Sequence, residues 1–585
     1  MMKNEKMTEE KLPPVKVLRR PKTVHAYERV TDVLDMLRVL EKHGDRVVFT
    51  YFVGGKNTED MTYGQFLVKV KEIAAGLTKS SLAGKKVAII GETSPEWVAT
   101  YLAVLASGGI AIPMDKELAL PEVEGLLASV NADAICYSAR FNGALAEARG
   151  NHPSLKTYIP FAPTDEELAL DKTVSLSKLC EKGRAAVEKG YTYPPVKNID
   201  GLAQLLFTSG TTGTSKSVML SQRNIFSCVT SAVSTVDFSP DDVIVSVLPI
   251  HHTYELACMM GAMNYGMHVC INDTIPHVLR NFQLFKPTAL VLVPLFVYTI
   301  YKKIWAEAKK TGQDKKLRLG LAASHTLMRL GVDKRRDLFA TVLNSFGGRL
   351  EKIVCGGAAL NPKMVEFFDS IGIAIYEGYG ITECSPLVAV SPYFARKYGS
   401  VGPAVPSCQV RIDEQMKNAR GLGEGEIQVK GDNVMLGYMN NDAANVESFT
   451  EDGWFRTGDM GYMDEEGYIY ITGRLKSVIV LENGKNVFPE EIEEYLGDIE
   501  LIAESVVVGR TEEGDDKVLL WAIVYPDDTK FPEGTDNEAK LSAIEKEIDA
   551  MNKKLPTYKH IQKVELREVE FEKTTSRKIK RHLVK

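Results

Sequence analysis

The sequence predicts an α/β protein, with a large amino-terminal domain of parallel α/β sheets, a β subdomain, and a small α+β carboxy-terminal domain. Three observations predict it. Short apolar runs alternate with helical patterns from about residue 26 onward, as in parallel sheets covered on both faces. After about Gly402 short strands and turns take over, and after about Gly473 a strand-and-helix tail of about 110 residues follows, a normal domain size. The expected layout is a flexible lead-in over 1–25, a large domain over 26–474 with its β subdomain at about 402–474, and a terminal domain over 475–585.

Taken in order, the lead-in is polar, basic and interrupted by Pro13-Pro14. The strands expected next are Lys86–Ile90, Gln204–Phe207, Val243–Leu248, His268–Ile271, Leu290–Val293, Lys352–Cys355 and Ala374–Tyr376. Ile225, Phe226, Val229, Ala232, Val233 and Val236 fall on one face of a helix. The apolar stretch Ala289–Ile300 contains Pro294 and is shorter than the ~20 residues of a spanning helix, so it reads as a buried strand entering a helix. Gly425–Lys430 and Gly467–Thr472 are strands of the β subdomain. Lys476–Leu481 reads as a strand closed by the turn Glu482-Asn483-Gly484-Lys485, and a helix starts at Pro489. Strands at Ser505–Val508 and Val518–Val524 precede a helix carrying Leu541, Ile544, Ile548, Met551 and Leu555.

Composition narrows the function classes. The net charge of -6 gives no reason to expect nucleic acid, whose partners are usually basic. The eight cysteines are scattered without a close pair, which argues against a zinc site and against a disulfide framework. No apolar run follows the early lysines, so no secretory signal is expected and the protein reads as cytoplasmic.

The most informative segment is Thr208-Ser209-Gly210-Thr211-Thr212-Gly213-Thr214-Ser215-Lys216, entered from the strand Leu205-Leu206-Phe207. Glycines let backbone approach an anion closely, hydroxyls and N–H groups surround its oxygens, and lysine adds a mobile charge. A P-loop of the G-x-x-x-x-G-K-[ST] type is excluded by Ser215 before the lysine and by the glycine spacing. A plain Ser/Thr/Gly linker seldom follows a buried strand directly. The segment resembles the phosphate loop of the acyl-adenylate-forming superfamily, which includes acyl-CoA synthetases, peptide-synthetase adenylation domains and beetle luciferase. Ser215 and Ser217 depart from the proline and glycine usual there.

Further motifs follow in that superfamily's order. Leu248-Pro249-Ile250-His251-His252 resembles the mouth of the acyl pocket, with His252 at the histidine position; the bland alternative is a satisfied structural histidine. Gly356-Gly357-Ala358-Ala359 resembles the turn flanking adenine, which implies contacts at Gly357 and Ala358. Tyr376-Glu377-Gly378-Tyr379-Gly380-Ile381-Thr382-Glu383 is more specific. By resemblance Tyr379 packs on adenine, Thr382 bonds the α-phosphate and Glu383 coordinates magnesium. Thr457-Gly458-Asp459 resembles the superfamily's Thr-Gly-Asp motif, which implies Asp459 on the ribose hydroxyls and Arg474 on ribose or phosphate; without the family it would read as a turn before a strand. By the same resemblance Lys476 stands at a hinge, and Gly484 leaves room for a pantetheine arm. Lys573-Thr574-Thr575-Ser576-Arg577-Lys578-Ile579-Lys580-Arg581 resembles the motif holding the catalytic lysine, here Lys578, although Glu572 and Arg577 replace its proline and glycine. Without the upstream motifs that basic end would read as a solvated tail.

The resemblance covers residues 26 to 585 and implies a mobile terminal domain, ATP and Mg2+ as cofactors, and coenzyme A as co-substrate. The implied activity joins a carboxylic acid, of medium or long chain, to a thiol through acyl-AMP, most like bacterial long-chain fatty acyl-CoA synthetases. Alternatives are transfer to a carrier protein's phosphopantetheine, activation of an aryl or other small acid, and a non-catalytic adenylate sensor. Lys302–Arg336 is rich in Lys and Arg and reads as solvated helix faces, with peripheral contact at an anionic inner membrane face, or with coenzyme A phosphates, as the sharper readings.

Overall fold

The computed structural model describes residues 27–147, 154–209, 215–418, 420–481, 486–511, 518–573 and 579–584. Contacts divide the chain into two compact units. The first comprises Met1–Leu206, Met219–Cys408 and Gly431–Leu436; the second comprises Phe207–Val218, Gln409–Lys430 and Gly437–Lys585.

The first unit contains an eight-stranded sheet in the order Leu387–Val390, Ala374–Gly380, Lys352–Gly356, Ala289–Leu292, Val243–Ser246, His268–Ile271, Val47–Val53 and Asn57–Thr62. Its six inner strands are parallel and only the two edges run antiparallel. A second parallel run orders Leu202–Ser209, Ile110–Met114, Lys86–Ile90, Ala134–Tyr137 and Thr157–Pro160. Strands of this kind are apolar throughout because helices cover both faces; Val87 through Ile90 and Leu290 are completely buried. Ala289–Ile300 resolves as expected into the strand Ala289–Leu292 and a helix beginning at Pro294, a position that needs no N–H partner. Val297 and Ile300 of that helix pack on Leu290, Ile353 and Phe368.

In the second unit a four-stranded sheet orders Cys408–Lys417, Gly423–Gly431, Phe455–Met463 and Ile469–Arg474. A three-stranded sheet of Ile502–Thr511, Val518–Pro526 and Lys563–Leu566 carries the helices Pro489–Gly497 and Asn537–Asn552. Ile492, Leu496, Val507, Leu520, Ile544 and Ile548 form their common core.

Two local expectations fail. Lys476–Leu481 is not one strand: Leu475–Ser477 form a 3-10 turn and only Ile479–Val480 pair, with Asn486–Val487. None of these six residues is fully buried, so no core face holds a longer ladder in register. Leu555 lies beyond its helix, which ends at Asn552 because Pro556 disfavours helical backbone before it, yet Leu555 still packs in the same core. The expected turn at 482–485 lies outside the described residues.

Candidate active site

In the first unit the candidate residues gather at the carboxyl ends of parallel strands, where open α/β sheets bind ligands. Lys352–Gly356 and Ala374–Gly380 run in register up to Gly356 beside Gly378. A Cβ on Gly356 would stand 3.0 Å from the Gly378 carbonyl oxygen, and one on Gly380 only 2.0 Å from that of Pro386, so backbone occupies the space of a side chain. The chain then turns through Gly357, whose φ of +86° favours glycine, and exposes Ala358 and Ala359. After Gly380, Thr382–Cys384 form a 3-10 turn. The Met435 N–H donates to the Glu383 carbonyl oxygen at 2.8 Å, which leaves the Glu383 carboxyl half-buried on a fixed backbone.

The strand Val243–Ser246 leads to the histidine pair. His252 is the N-cap of the helix Thr253–Tyr265, and its N–H donates to the Pro249 carbonyl oxygen at 3.1 Å. His251, only 8% exposed, stacks at a tilt with 4.1 Å between the two ring centres. Its Nε2 stands 3.6 Å from Asp115 Oδ2, beyond a good hydrogen bond. Burial, followed by the charges of His252 and Lys116, lowers the His251 pKa well below the usual value, so the ring is neutral. Glu255, one turn into the helix, accepts a hydrogen bond from the Ser246 hydroxyl. Burial pushes its carboxyl up to about 8, which keeps it protonated at neutral pH. Sequence reasoning found His252 but missed His251 and Glu255; a histidine pair followed by a glutamate has no pattern that reveals burial.

Between the helices Gln222–Thr235 and Thr253–Tyr265 and the strand ends lies a cavity of about 110 Å³. Cys228, Val233, Gly261, Tyr265, Val354 and Tyr379 are among its lining residues, and the wall is almost wholly apolar. The Tyr254 hydroxyl is turned away, reaching the Leu292 and Val354 carbonyl oxygens at 3.2 and 3.1 Å. The Tyr379 ring, 9% exposed, forms part of this wall beside Gly356 and Gly357.

The second unit presents Asp459 and Arg474 as a pair. They face each other on antiparallel strands, with Arg474 Nε 2.7 Å from Asp459 Oδ1. Asp459 is 4% exposed. The Asp459 N–H donates to the Thr457 hydroxyl oxygen at 3.0 Å, that hydroxyl donates to the Ile427 carbonyl oxygen at 2.7 Å, and the Gly458 N–H donates to Glu426 at 3.0 Å. The carboxylate is therefore aimed before any ligand arrives. On either side of the hydroxyl-rich loop, the Thr208 hydroxyl reaches the Lys216 carbonyl oxygen at 3.5 Å, and Lys216 Nζ lies 4.6 Å from the centre of the Tyr438 ring. Gly210, Thr211, Thr212, Gly213, Gly484 and Lys578, with the Ser209 side chain, lie outside the described residues. Lys476 is exposed in the turn Leu475–Ser477.

The flanks of the Lys578 segment are fastened. Lys573 bridges to Ile579, and the Lys580 N–H donates to the Glu572 carbonyl oxygen at 2.8 Å. Lys573 pairs with Glu504 and, at 3.0 Å, with Glu570. Arg581 pairs with Glu493 and lies 3.7 Å from Glu490. Burial raises the Glu493 carboxyl to about 7, outweighing the opposing pull of Arg581.

Among the described residues no group of three or more His, Cys, Asp or Glu could hold a metal ion. Glu383, a single hard carboxylate on a fixed turn, fits a magnesium ion that keeps waters and phosphate oxygens as its other ligands.

Comparison with known proteins agrees with this anatomy. Residues 37–439 match the AMP-binding enzyme family, and residues 476–585 match the AMP-binding enzyme C-terminal domain. The long-chain-fatty-acid–CoA ligase FadD15 of Mycobacterium bovis is 29% identical over 512 residues, 83% of this chain and 80% of that protein. The indoleacetate–CoA ligase of Aromatoleum aromaticum is 30% identical, over 80% of this chain and 83% of that one. In fold, ATP-bound MatB from Rhodopseudomonas palustris matches with a TM-score of 0.70 at 23% identity, covering 94% of this chain and 98% of that one. The chain belongs to the AMP-binding enzyme family.

Proposed function

We propose that the protein is an AMP-forming acid–thiol ligase that converts an apolar carboxylic acid, a medium- or long-chain fatty acid, to acyl-AMP and then to its coenzyme A thioester. The observation that carries this reading is the apolar cavity ending at the Gly356–Gly357 turn and Tyr379. An alkyl chain entering it leaves its carboxylate at the strand ends, beside Thr382 and Glu383. The neutral His251 at the loop before this helix adds no charge that would hold a carboxylate outside. Relatives named long-chain-fatty-acid–CoA ligases support the same substrate class.

A carboxylate oxygen is a poor leaving group; attack on the α-phosphorus of ATP turns it into part of AMP and expels pyrophosphate. Two anions must meet, so the residues that matter supply positive charge and alignment. Thr208, Lys216 and the intervening loop hold the terminal phosphates, and Thr382 bonds the α-phosphate. Asp459, steadied by Arg474, accepts the ribose hydroxyls. Glu383 would hold a magnesium ion, which would shield phosphate charge when bound. Lys578 bridges carboxylate and α-phosphate. For the thiol step the terminal domain turns about Lys476, withdrawing Lys578 and bringing Gly484 to the pantetheine path.

The test is ATP–pyrophosphate exchange across a panel of carboxylic acids, followed by thiol acceptors. Exchange that depends on fatty acids, with product formed on coenzyme A, is expected. Exchange with aryl acids alone would replace the substrate class, product only on a carrier protein would replace the acceptor, and no exchange with any acid would end the proposal. Lys476→Pro is expected to slow the thiol step about tenfold while sparing exchange; equal losses would remove the hinge.

A further inference from the structure

The helical corner formed by Pro294–Lys310 and Asp314–Arg329, which the proposed chemistry does not use, carries an unusual surface. Between Lys302 and Arg336 there are eleven Lys and Arg against three Asp and Glu, in a chain whose net charge is -6. Part of this charge is spent within the fold. Arg335 reaches Asp369 at 3.4 Å, Arg336 donates to the Leu350 carbonyl oxygen at 2.8 Å, and Arg318 lies 5.0 Å from the centre of the Trp305 ring. Lys309, Lys310, Lys315, Lys316 and Arg329 point outward and are exposed.

The second helix is anchored to the core along one face. Leu317 and Leu321 pack on the core, the Ser324 hydroxyl donates to the Ser370 carbonyl oxygen at 2.7 Å, and His325 bonds the Ser370 hydroxyl at 2.6 Å. That anchoring fixes which face looks outward. Leu319, Ala322 and Thr326 follow one another at helical spacing on that face, and Leu330 continues the line as the C-cap. Leu319 is 72% exposed and Leu330 73%. A single exposed leucine is ordinary. Two of them on one rigid face, flanked by lysines and arginine and with the helix's one acid confined to its first residue, form the pattern of a helix that lies in a membrane interface.

We propose that this corner docks the protein on an anionic lipid bilayer, with Leu319 and Leu330 entering the headgroup boundary and Lys309, Lys310, Lys315 and Lys316 meeting lipid phosphates. The charge argues against the other occupants. A second copy using the same face would set cations against cations, since a two-fold interface pairs a patch with itself. A nucleic acid would satisfy the lysines but leave the leucines in water.

The test is flotation of the full chain with vesicles of phosphatidylcholine alone, or with about one third phosphatidylglycerol, at about 0.1 M and about 1 M salt. Binding to the anionic vesicles at low salt, weakened by salt, is expected. Lys315→Glu with Lys316→Glu should reduce it by about tenfold or more. Leu319→Ser with Leu330→Ser should reduce it by about fivefold at low salt. Both variants change exposed positions and should keep the wild-type urea midpoint and vesicle-free activity. Absence of flotation, or flotation unchanged in both variants, overturns the proposal. A dimer that Leu319→Ser dissolves, or oligonucleotide binding that Lys315→Glu abolishes without any vesicle binding, overturns it in favour of those occupants.

Discussion

The turn around Glu383 and the flanks of the Lys578 segment are built by opposite means. In the first unit, Gly380 lies where neighbouring backbone leaves no room for a Cβ and Gly356 where it leaves little, and the Glu383 carbonyl oxygen is tied to a backbone N–H. In the second unit, the flanks of the Lys578 segment are held by side-chain ion pairs, Lys573 to Glu504 and Glu570, and Arg581 to Glu493 and Glu490. Close packing transmits strain and tolerates little change. Partly exposed ion pairs contribute less and yield to salt and pH. On the proposed mechanism, a part that would stay put through both half-reactions is suited to the first construction, and a part that would leave the site after one of them to the second.

The largest expected effect tests the Lys578 side. Lys578→Ala should lower adenylation by about 10²–10³-fold, the scale of one transition-state charge contact, while transfer from supplied acyl-AMP stays largely intact. Equal loss of both half-reactions would show that the two sites are not divided in this way. Next, Gly380→Ala should cost about 3 kcal/mol of stability, because its Cβ would meet the Pro386 carbonyl oxygen at 2.0 Å and backbone must shift. An unchanged urea midpoint would refute the packing account.

In each unit a carboxyl is pushed upward by desolvation, Glu255 in the first and Glu493 in the second, and these sharpen the contrast. Glu255 has only a hydroxyl donor, whereas Glu493 has Arg581. The Glu255 carboxyl titrates at about 8 when folded, above its usual value of 4.5. It therefore contributes no penalty below about pH 4.5, and stability is lost progressively as pH rises towards 8, because the unfolded chain ionises first. Glu255→Gln should remove that decline, raising stability relative to wild type by about 2 kcal/mol at alkaline pH. Parallel stability–pH curves for the two proteins would count against it. Arg581→Ala is the mildest change. It should cost about 1 kcal/mol, less in high salt, and move the Glu493 pKa, now about 7, further upward as the opposing charge is lost. A Glu493 pKa that stays put, followed by NMR titration, would show that Arg581 exerts no charge effect there.

Much of the architecture was legible from local pattern. Lys86–Ile90 and His268–Ile271 have the expected ends, because parallel strands buried on both faces leave uninterrupted apolar runs. The turn after Gly356 was legible too, since glycines and small residues after such a run announce a turn, whereas the strand expected at Ala374–Tyr376 runs on through Gly378 to Gly380. Where burial is partial the pattern weakens, as at Lys476–Leu481, whose apolar run suggested a strand that no core supports.

What the sequence by itself determined is the order of elements and the placing of Gly357 and Glu383 just past the ends of strands, because those choices rest on contacts a few residues long. Tertiary structure alone decided the rest: that His251 is buried near Asp115, that Glu255 is shut away with Ser246 and protonated, that Arg474 steadies Asp459, and that two helices and a set of strand ends enclose an apolar cavity. Solvation and pairing depend on what distant segments bring to a side chain, and spacing along the chain does not record it.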